Sequence, residues 1–291
     1  MRKLLTFGLV GLAAQLVDGA LGMGYGATSA SLLLGAGVAP LASSASIHLA
    51  ELGATFVSGA AHWREGNVDW RLVRGVAGPG AVAAFLGAVV LTSLDGDVLA
   101  PFVAAFLLLL GASVLLRFAF GTIARGRPHP SRRYLGGLGF VAGFLDSVGG
   151  GGWGPIATPT LLAQGAHSPR TIVGSVSASE FVVTAAAALG FLGAVLAGHV
   201  DPMLVLALMA GGVIAAPIAA KLVKVLPPRI LGVLVGGMIL LTNIRTGANA
   251  LDVGGSGRAV AYVVVLAVTA AALLKVRERR EQPEPQPVPV T

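Results

Sequence analysis

Four acids in this sequence fall inside apolar runs, and they form two matched pairs. Asp18 and Asp146 stand 128 residues apart, and Glu51 and Glu180 stand 129 apart. A carboxylate at bilayer depth costs about 2.5–3.5 kcal/mol on insertion scales, so it marks an ion path, a proton relay or an interhelical bond. His48 precedes Glu51 by three positions. That spacing puts both on one helix face, as a His–Glu bond or a proton relay. One such pair offers too few ligands for a metal site, and neither a metal nor a cofactor is expected.

Beside each aspartate lies a glycine-rich joint. Residues 139–162 read GFVAGFLDSVGGGGWGPIATPTLL, and residues 8–34 read GLVGLAAQLVDGALGMGYGATSASLLL. Glycine costs about 1 kcal/mol and proline about 3 in a helix interior, so each segment reads as two short helices meeting at an unwound joint. At membrane depth such a joint is tolerated only where it is buried in protein or lines a cavity. Half-helix N-termini carry unpaired N–H groups and partial positive charge, which suits an oxyanion. The candidate substrate-binding residues are therefore Gly22, Gly24, Tyr25, Gly26, Thr28 and Ser29 in the first joint. In the second they are Gly150, Gly151, Gly152, Trp153, Gly154 and Thr158, with Ser31 and Thr160 as further hydroxyl donors. Asp18, His48, Glu51, Asp146 and Glu180 are the candidates for coupling or gating. Enlarging Gly152 or Gly24 is expected to keep ligand from the backbone while leaving the fold intact. The plainer account of the glycines is tight helix packing.

The elements that position these residues recur. Gly24, Tyr25 and Gly26 fall on Gly152, Trp153 and Gly154, Ser46 on Ser175, and the VAA at 82–84 on the IAA at 214–216. The chain is a duplication. Of its 291 residues 55% are hydrophobic and 11% charged, with a mean hydropathy of +0.84. Ordinary globular chains carry about 25% charged residues. Runs of about 20 apolar residues recur, each long enough to cross a bilayer. The absence of cysteine removes disulfides and thiol chemistry. The apolar N-terminus has the look of a signal peptide, but the second copy carries the same segment internally.

The fold class expected is an all-α polytopic membrane protein of two inverted repeats. Each repeat holds a hairpin of two short broken helices plus three full spans, and one extra span follows at the C-terminus. The divisions are 1–120 for repeat 1, 121–133 for a cytoplasmic linker and 134–251 for repeat 2, then 252–280 for the extra span and 281–291 for a disordered tail. Lys and Arg concentrate in 64–74, 121–133, 224–229 and 275–280, which the positive-inside rule places in the cytoplasm with the C-terminus. The net charge of +7 is explained by that placement rather than by nucleic acid. The turns bearing Asp95/Asp97 and His199/Asp201 go outside. Arg2 and Lys3 favour a cytoplasmic N-terminus, whereas inversion puts it outside.

DGALGMGYG, GGGGWGP, TSASLLL, SASIHLAE and GSVSASE resemble the TauE/SafE sulfite-exporter family of membrane permeases, over residues 4–251. The resemblance implies transport of small sulfur-containing anions, such as sulfite, thiosulfate or organosulfonates, across a bacterial inner membrane. Neither joint holds Arg or Lys, so charge recognition would rest on backbone and hydroxyls. The partners expected are a small anion, the bilayer and, as an option, a second copy in a homodimer. A proton- or metal-cation-coupled exchanger using the paired acids is the alternative. A hydrolase is disfavoured: Ser175, Ser177 and His48 exist, but no Gly-x-Ser-x-Gly elbow or His-Glu-x-x-His helix does.

Overall fold

A computed structural model describes residues 2–94, 96–121, 129–222, 227–250 and 253–281. The expectations resting on Asp95, Arg125, Arg127, Lys224 and the tail beyond 281 lie outside these residues. The described residues form helices and turns, with no strand. Five helices make the first half: α1 (Arg2–Leu21), α2 (Tyr25–Gly35), α3 (Pro40–Arg64), α4 (Trp70–Thr92) and α5 (Gly96–Phe120). The second half repeats them as α6 (Arg132–Gly149), α7 (Trp153–Gln164), α8 (Pro169–Gly190), α10 (Pro202–Leu222) and α11 (Pro228–Ala250). A five-residue helix, α9 (Leu192–Leu196), intervenes after α8, and α12 (Gly255–Glu281) follows α11.

Caps and breakers set the boundaries. Ser131, Asp69 and Ser168 each accept a backbone N–H in the first turn of α6, α4 and α8, which satisfies donors the helix leaves open. Pro40 and Pro169 open α3 and α8, where proline's missing N–H costs nothing. The hairpin helices differ from expectation. Their second arms, α2 and α7, are short at 11 and 12 residues, but the first arms run to 20 and 18. No proline interrupts either first arm, so the helix continues past its aspartate.

Among the described residues, six helices are long and apolar enough to cross a membrane: α1, α4, α5, α8, α10 and α12. The interior helix α3, with His48, Glu51 and a series of buried serines, is long but less apolar. Its polar groups face protein rather than lipid. By contrast α12 is largely exposed, with Val260, Val263 and Leu266 turned outward.

Glycines set the packing. Gly139 and Gly143 of α6 press on the carbonyls of Val76 and Gly80 in α4, and Gly87 meets Phe144, so these helices run parallel. In the same way Gly11 and Gly19 of α1 meet Leu208 and Ala219 of α10. The equivalent helices α3 and α8 run antiparallel, as His48 with Phe191, Phe56 with Phe181 and Gly59 with Ala178 record. So do α5 and α11, where Gly111 meets Gly236 and Arg229 Nη2 donates to the Gly121 carbonyl at 3.5 Å.

These directions define two ends. One holds the α3–α4 turn with Asp69 and the start of α8 with His167, 3.2 Å from Asp69. The other holds the start of α1, the end of α2 and Asp201 before α10.

Candidate functional site

The two joints meet in the middle of the helix bundle, and they meet reciprocally. A Cβ on Gly26 would lie 2.6 Å from Gly151 Cα and 2.7 Å from the Gly150 oxygen. A Cβ on Gly154, the equivalent of Gly26, would lie 2.5 Å from Met23 Cα and 2.7 Å from the Gly22 oxygen. Gly151 abuts the Ala27 nitrogen and the Gly26 carbonyl carbon. Gly22 and Gly150 hold φ of 67° and 73°, a left-handed conformation that glycine adopts without a Cβ penalty. That turn carries the chain back from each long arm. The first turns of α2 and α7 therefore pass side by side, backbone on backbone.

Their N-terminal N–H groups are already engaged. Asp146 Oδ1 accepts from Gly152 N–H at 2.7 Å and from Trp153 N–H at 2.9 Å. Asp18 Oδ1 receives Tyr25 N–H at 3.4 Å, a long contact at the equivalent place. Each aspartate thus sits where an anion was expected, as the cap of its own half-helix. Tyr25 and Trp153 are buried, and each ring donor is used. Tyr25 Oη donates to the Leu208 carbonyl at 3.0 Å, and Trp153 Nε1 to that of Val176 at 3.3 Å. Thr158 Oγ1 donates to the Gly22 carbonyl at 2.5 Å, riveting the second joint to the first. Ser31 accepts from Asn243 Nδ2 at 2.7 Å. Thr28 and Ser29 are buried with hydroxyls that find no protein partner, as is Ser177. Gly24, with φ 122°, closes the first joint against Val17.

His48 lies against Asp146, not Glu51. Its Nε2 is 3.1 Å from Asp146 Oδ2, and its Nδ1 is 2.8 Å from the Ser44 carbonyl oxygen. A carbonyl only accepts, so Nδ1 carries a hydrogen. The Nε2···Oδ2 contact then needs one proton of its own, on the imidazole or on the carboxyl. The pair binds one proton more than a neutral histidine and a carboxylate. Sharing a face with His48 does not bring Glu51 to it, because Glu51 turns toward the first joint, its Oε1 3.2 Å from where a Gly26 Cβ would stand. Glu51 and Glu180 are both buried, within electrostatic reach of Asp18 and Asp146. No Lys or Arg joins this cluster among the described residues. Nor do the described residues hold a group of three or more His, Cys, Asp or Glu arranged for a metal ion.

Three contacts were not legible in the sequence. His62 Nε2 donates to the Gly19 carbonyl at 3.0 Å, and Asn67 Nδ2 donates to His62 Nδ1 at 3.2 Å. Ser44 Oγ donates to the Ser147 carbonyl at 2.6 Å. The single helix α3 thereby pins the ends of both long arms. At the Asp69 end burial lowers the His167 imidazole below its ordinary value, against the pull of the Asp69 carboxylate.

An all-helical, multi-pass membrane chain with broken-helix hairpins packed at its centre has the architecture of a membrane transporter. The Sulfite exporter TauE/SafE family matches residues 7–246, so the chain belongs to that family. It is 49% identical over 252 residues to the "Probable membrane transporter protein YtnM" of Bacillus subtilis (strain 168), covering 86% of this chain and 84% of that protein. It is 29% identical over 196 residues to the "Probable membrane transporter protein YdhB" of the same organism, covering 66% and 79%. No solved structure matches.

Proposed function

We propose that this chain is a secondary transporter, an exporter, of small sulfur-containing anions such as sulfite or organosulfonates, working by alternating access around the paired joints. The reciprocal packing of the two joints carries this reading. Transporters built from inverted repeats place their sites near the midplane, at broken helices where the repeats meet. The antiparallel pairing of α3 with α8 and α5 with α11 supports inversion, since an axis in the membrane plane reverses equivalent helices. Of the residues of the two joints, Thr28 and Ser29 have the hydroxyls free to turn to a ligand.

The Asp69 end is assigned to the cytoplasm of a bacterial inner membrane. Arg64, Arg71, Arg74, Arg132, Arg133, Lys221, Arg229, Lys275 and Arg277 belong to helix ends on that side, against Arg258 and the Arg2–Lys3 start on the other. Trp63 and Trp70, exposed and edge to face at 6.3 Å, mark an interfacial belt there. A reporter fused in the Arg125–Arg133 linker is expected inside and one near Asp95 outside. Both reporting the same side would end the inverted arrangement.

Moving one charge through 100 mV is worth about 2.3 kcal/mol. Expelling a monoanion from a cell negative inside is thus favoured roughly 50-fold before any coupling. The experiment is a thermal-unfolding panel on purified protein with sulfite, thiosulfate, sulfoacetate, sulfate and chloride. Sulfur anions other than sulfate are expected to raise the unfolding temperature by several degrees at saturation, through binding to the folded state alone. No shift with any sulfur anion would reject the substrate class. A second reading, proton-coupled exchange, is favoured by the proton that His48 and Asp146 share.

A further inference from the structure

The two ends of the molecule are built from matching residues but packed differently. At the Asp201 end a cavity of about 570 Å³ is lined by Val38, Ser46, His199 and Asp201, among others. It runs from exposed His199 and Asp201 to Ser46, which is buried and whose Oγ has no hydrogen-bond partner. In the duplicated sequence the counterparts of these four are His167, Ser175, Asn67 and Asp69. The correspondence is structural as well: Asp201 caps α10 through Met203 N–H at 2.9 Å, as Asp69 caps α4 through Arg71 N–H at 2.7 Å.

At the Asp69 end the same residues close on one another. Asp69 N–H donates to Ser175 Oγ at 2.8 Å, and Ser175 Oγ donates to the Thr171 carbonyl at 2.7 Å. His167 Nε2 lies 3.2 Å from Asp69 Oδ2, where the other end has only Val38. The Asn67 carbonyl sits directly on Gly174. The His129 ring, from the segment between the repeats, packs on His167 with centroids 4.8 Å apart. Behind this cluster Val173 is buried against Gly22 of the first joint.

We propose that Asp69 and His167 form a latch that seals one end of the transport path while the equivalent end stands open. This rests on the alternating-access reading above, and it adds which contact must break for the path to open the other way. The latch joins the α3–α4 turn to the α7–α8 turn, so it ties the first repeat to the second. Val38 cannot form such a contact with Asp201, so the opposite end closes by packing alone. Breaking the latch should move the population toward the state open at the Asp69 end.

The chain contains no cysteine, so single cysteines report cleanly. Ser46→Cys and Val173→Cys, each in the full-length protein in detergent, are treated with a water-soluble methanethiosulfonate reagent, without any substrate. Ser46→Cys is expected to react readily and Val173→Cys slowly. Adding His167→Ala is expected to speed Val173→Cys about fivefold without speeding Ser46→Cys, the shift given by loss of one partly exposed polar contact. Asp69→Ser should act likewise, since serine still caps α4 and is too short to reach His167. Unchanged rates at both reporters, with full reaction after unfolding in SDS, would overturn the latch. So would a rise at both, because a latch opens one end at the expense of the other. The labelling needs no anion, so failure of the anion panel and failure of the latch are separate results.

Discussion

Gly151→Ala is expected to remove nearly all folded protein, although it adds a single methyl group. The new Cβ would fall on the Ala27 nitrogen and the Gly26 carbonyl carbon, and 2.5 Å from Ala27 Cα. Overpacked cores usually lose about 1–3 kcal/mol because side chains shift aside. Here the obstacle is the backbone of α2 in its first turn, and α2 cannot retreat without dragging the first joint. Gly26 and Gly154 are held in the same crossing, so relief at one point tightens another. Against a net stability of about 5–15 kcal/mol such a clash is decisive. The yield of monodisperse protein in detergent should drop more than about tenfold, which takes only about 1.4 kcal/mol by the usual conversion. Gly193→Ala is the control, since its Cβ would meet nothing within 4 Å, and it should match the parent. Wild-type yield and transport from Gly151→Ala would mean that the joints are not in contact. Gly152→Val belongs with Gly151→Ala, because its Cβ would lie 2.8 Å from the Asp146 nitrogen. The sequence alone suggests that this change spares the fold, but the structure makes it a folding defect.

That reversal shows which features a sequence carries and which it does not. The duplication, the joints, the four buried acids and most helix ends are legible, because local chemistry fixes them: prolines at helix starts, glycine runs at breaks, charge in turns. What glycine is for at a joint is not local. A ligand and a neighbouring backbone demand the same absence of a Cβ, and only the packing of α2 on α7 tells them apart. His48 makes the same point. Its spacing from Glu51 establishes a shared face, while its partner Asp146 lies 98 residues away. The arm lengths escape the sequence because an aspartate beside glycines looks like a helix end, yet Gly19 and Gly149 continue their helices. The Asp69–His167 contact joins residues nearly a hundred positions apart, and neither stands out in the sequence.

Asp146→Asn is expected to yield a folded protein that moves anion under voltage and no longer responds to a pH gradient. The substituted amide can keep its Oδ1 as acceptor for Gly152 and Trp153 N–H, and its Nδ2 can donate to His48 Nε2. His48 Nδ1–H stays on the Ser44 carbonyl, so every hydrogen bond around the pair survives. Only the proton between Nε2 and Oδ2 is lost, because an amide supplies its own hydrogen and neither gains nor loses one. Asp146→Ala would instead strand two backbone donors and an imidazole, at about 1–3 kcal/mol each, and is expected to unfold. The measurement is sulfite flux in proteoliposomes under separately imposed voltage and pH gradients. With one proton moved per anion, a gradient of one pH unit sustains about a tenfold accumulation, worth about 1.4 kcal/mol. That ratio should hold for the parent and fall to about one in Asp146→Asn. Glu51→Gln is the contrast, since a gating role for Glu51 predicts an altered rate with the pH response kept. Full pH-driven accumulation by Asp146→Asn would make the His48–Asp146 pair a structural clasp and move the coupling to Glu51 and Glu180. The Asp18 side offers a built-in comparison. The counterpart of His48 there is Ser177, whose hydroxyl has no partner. If the proton pathway runs through His48, the two repeats are equivalent in packing but not in chemistry, and proton exchange belongs to the second joint alone.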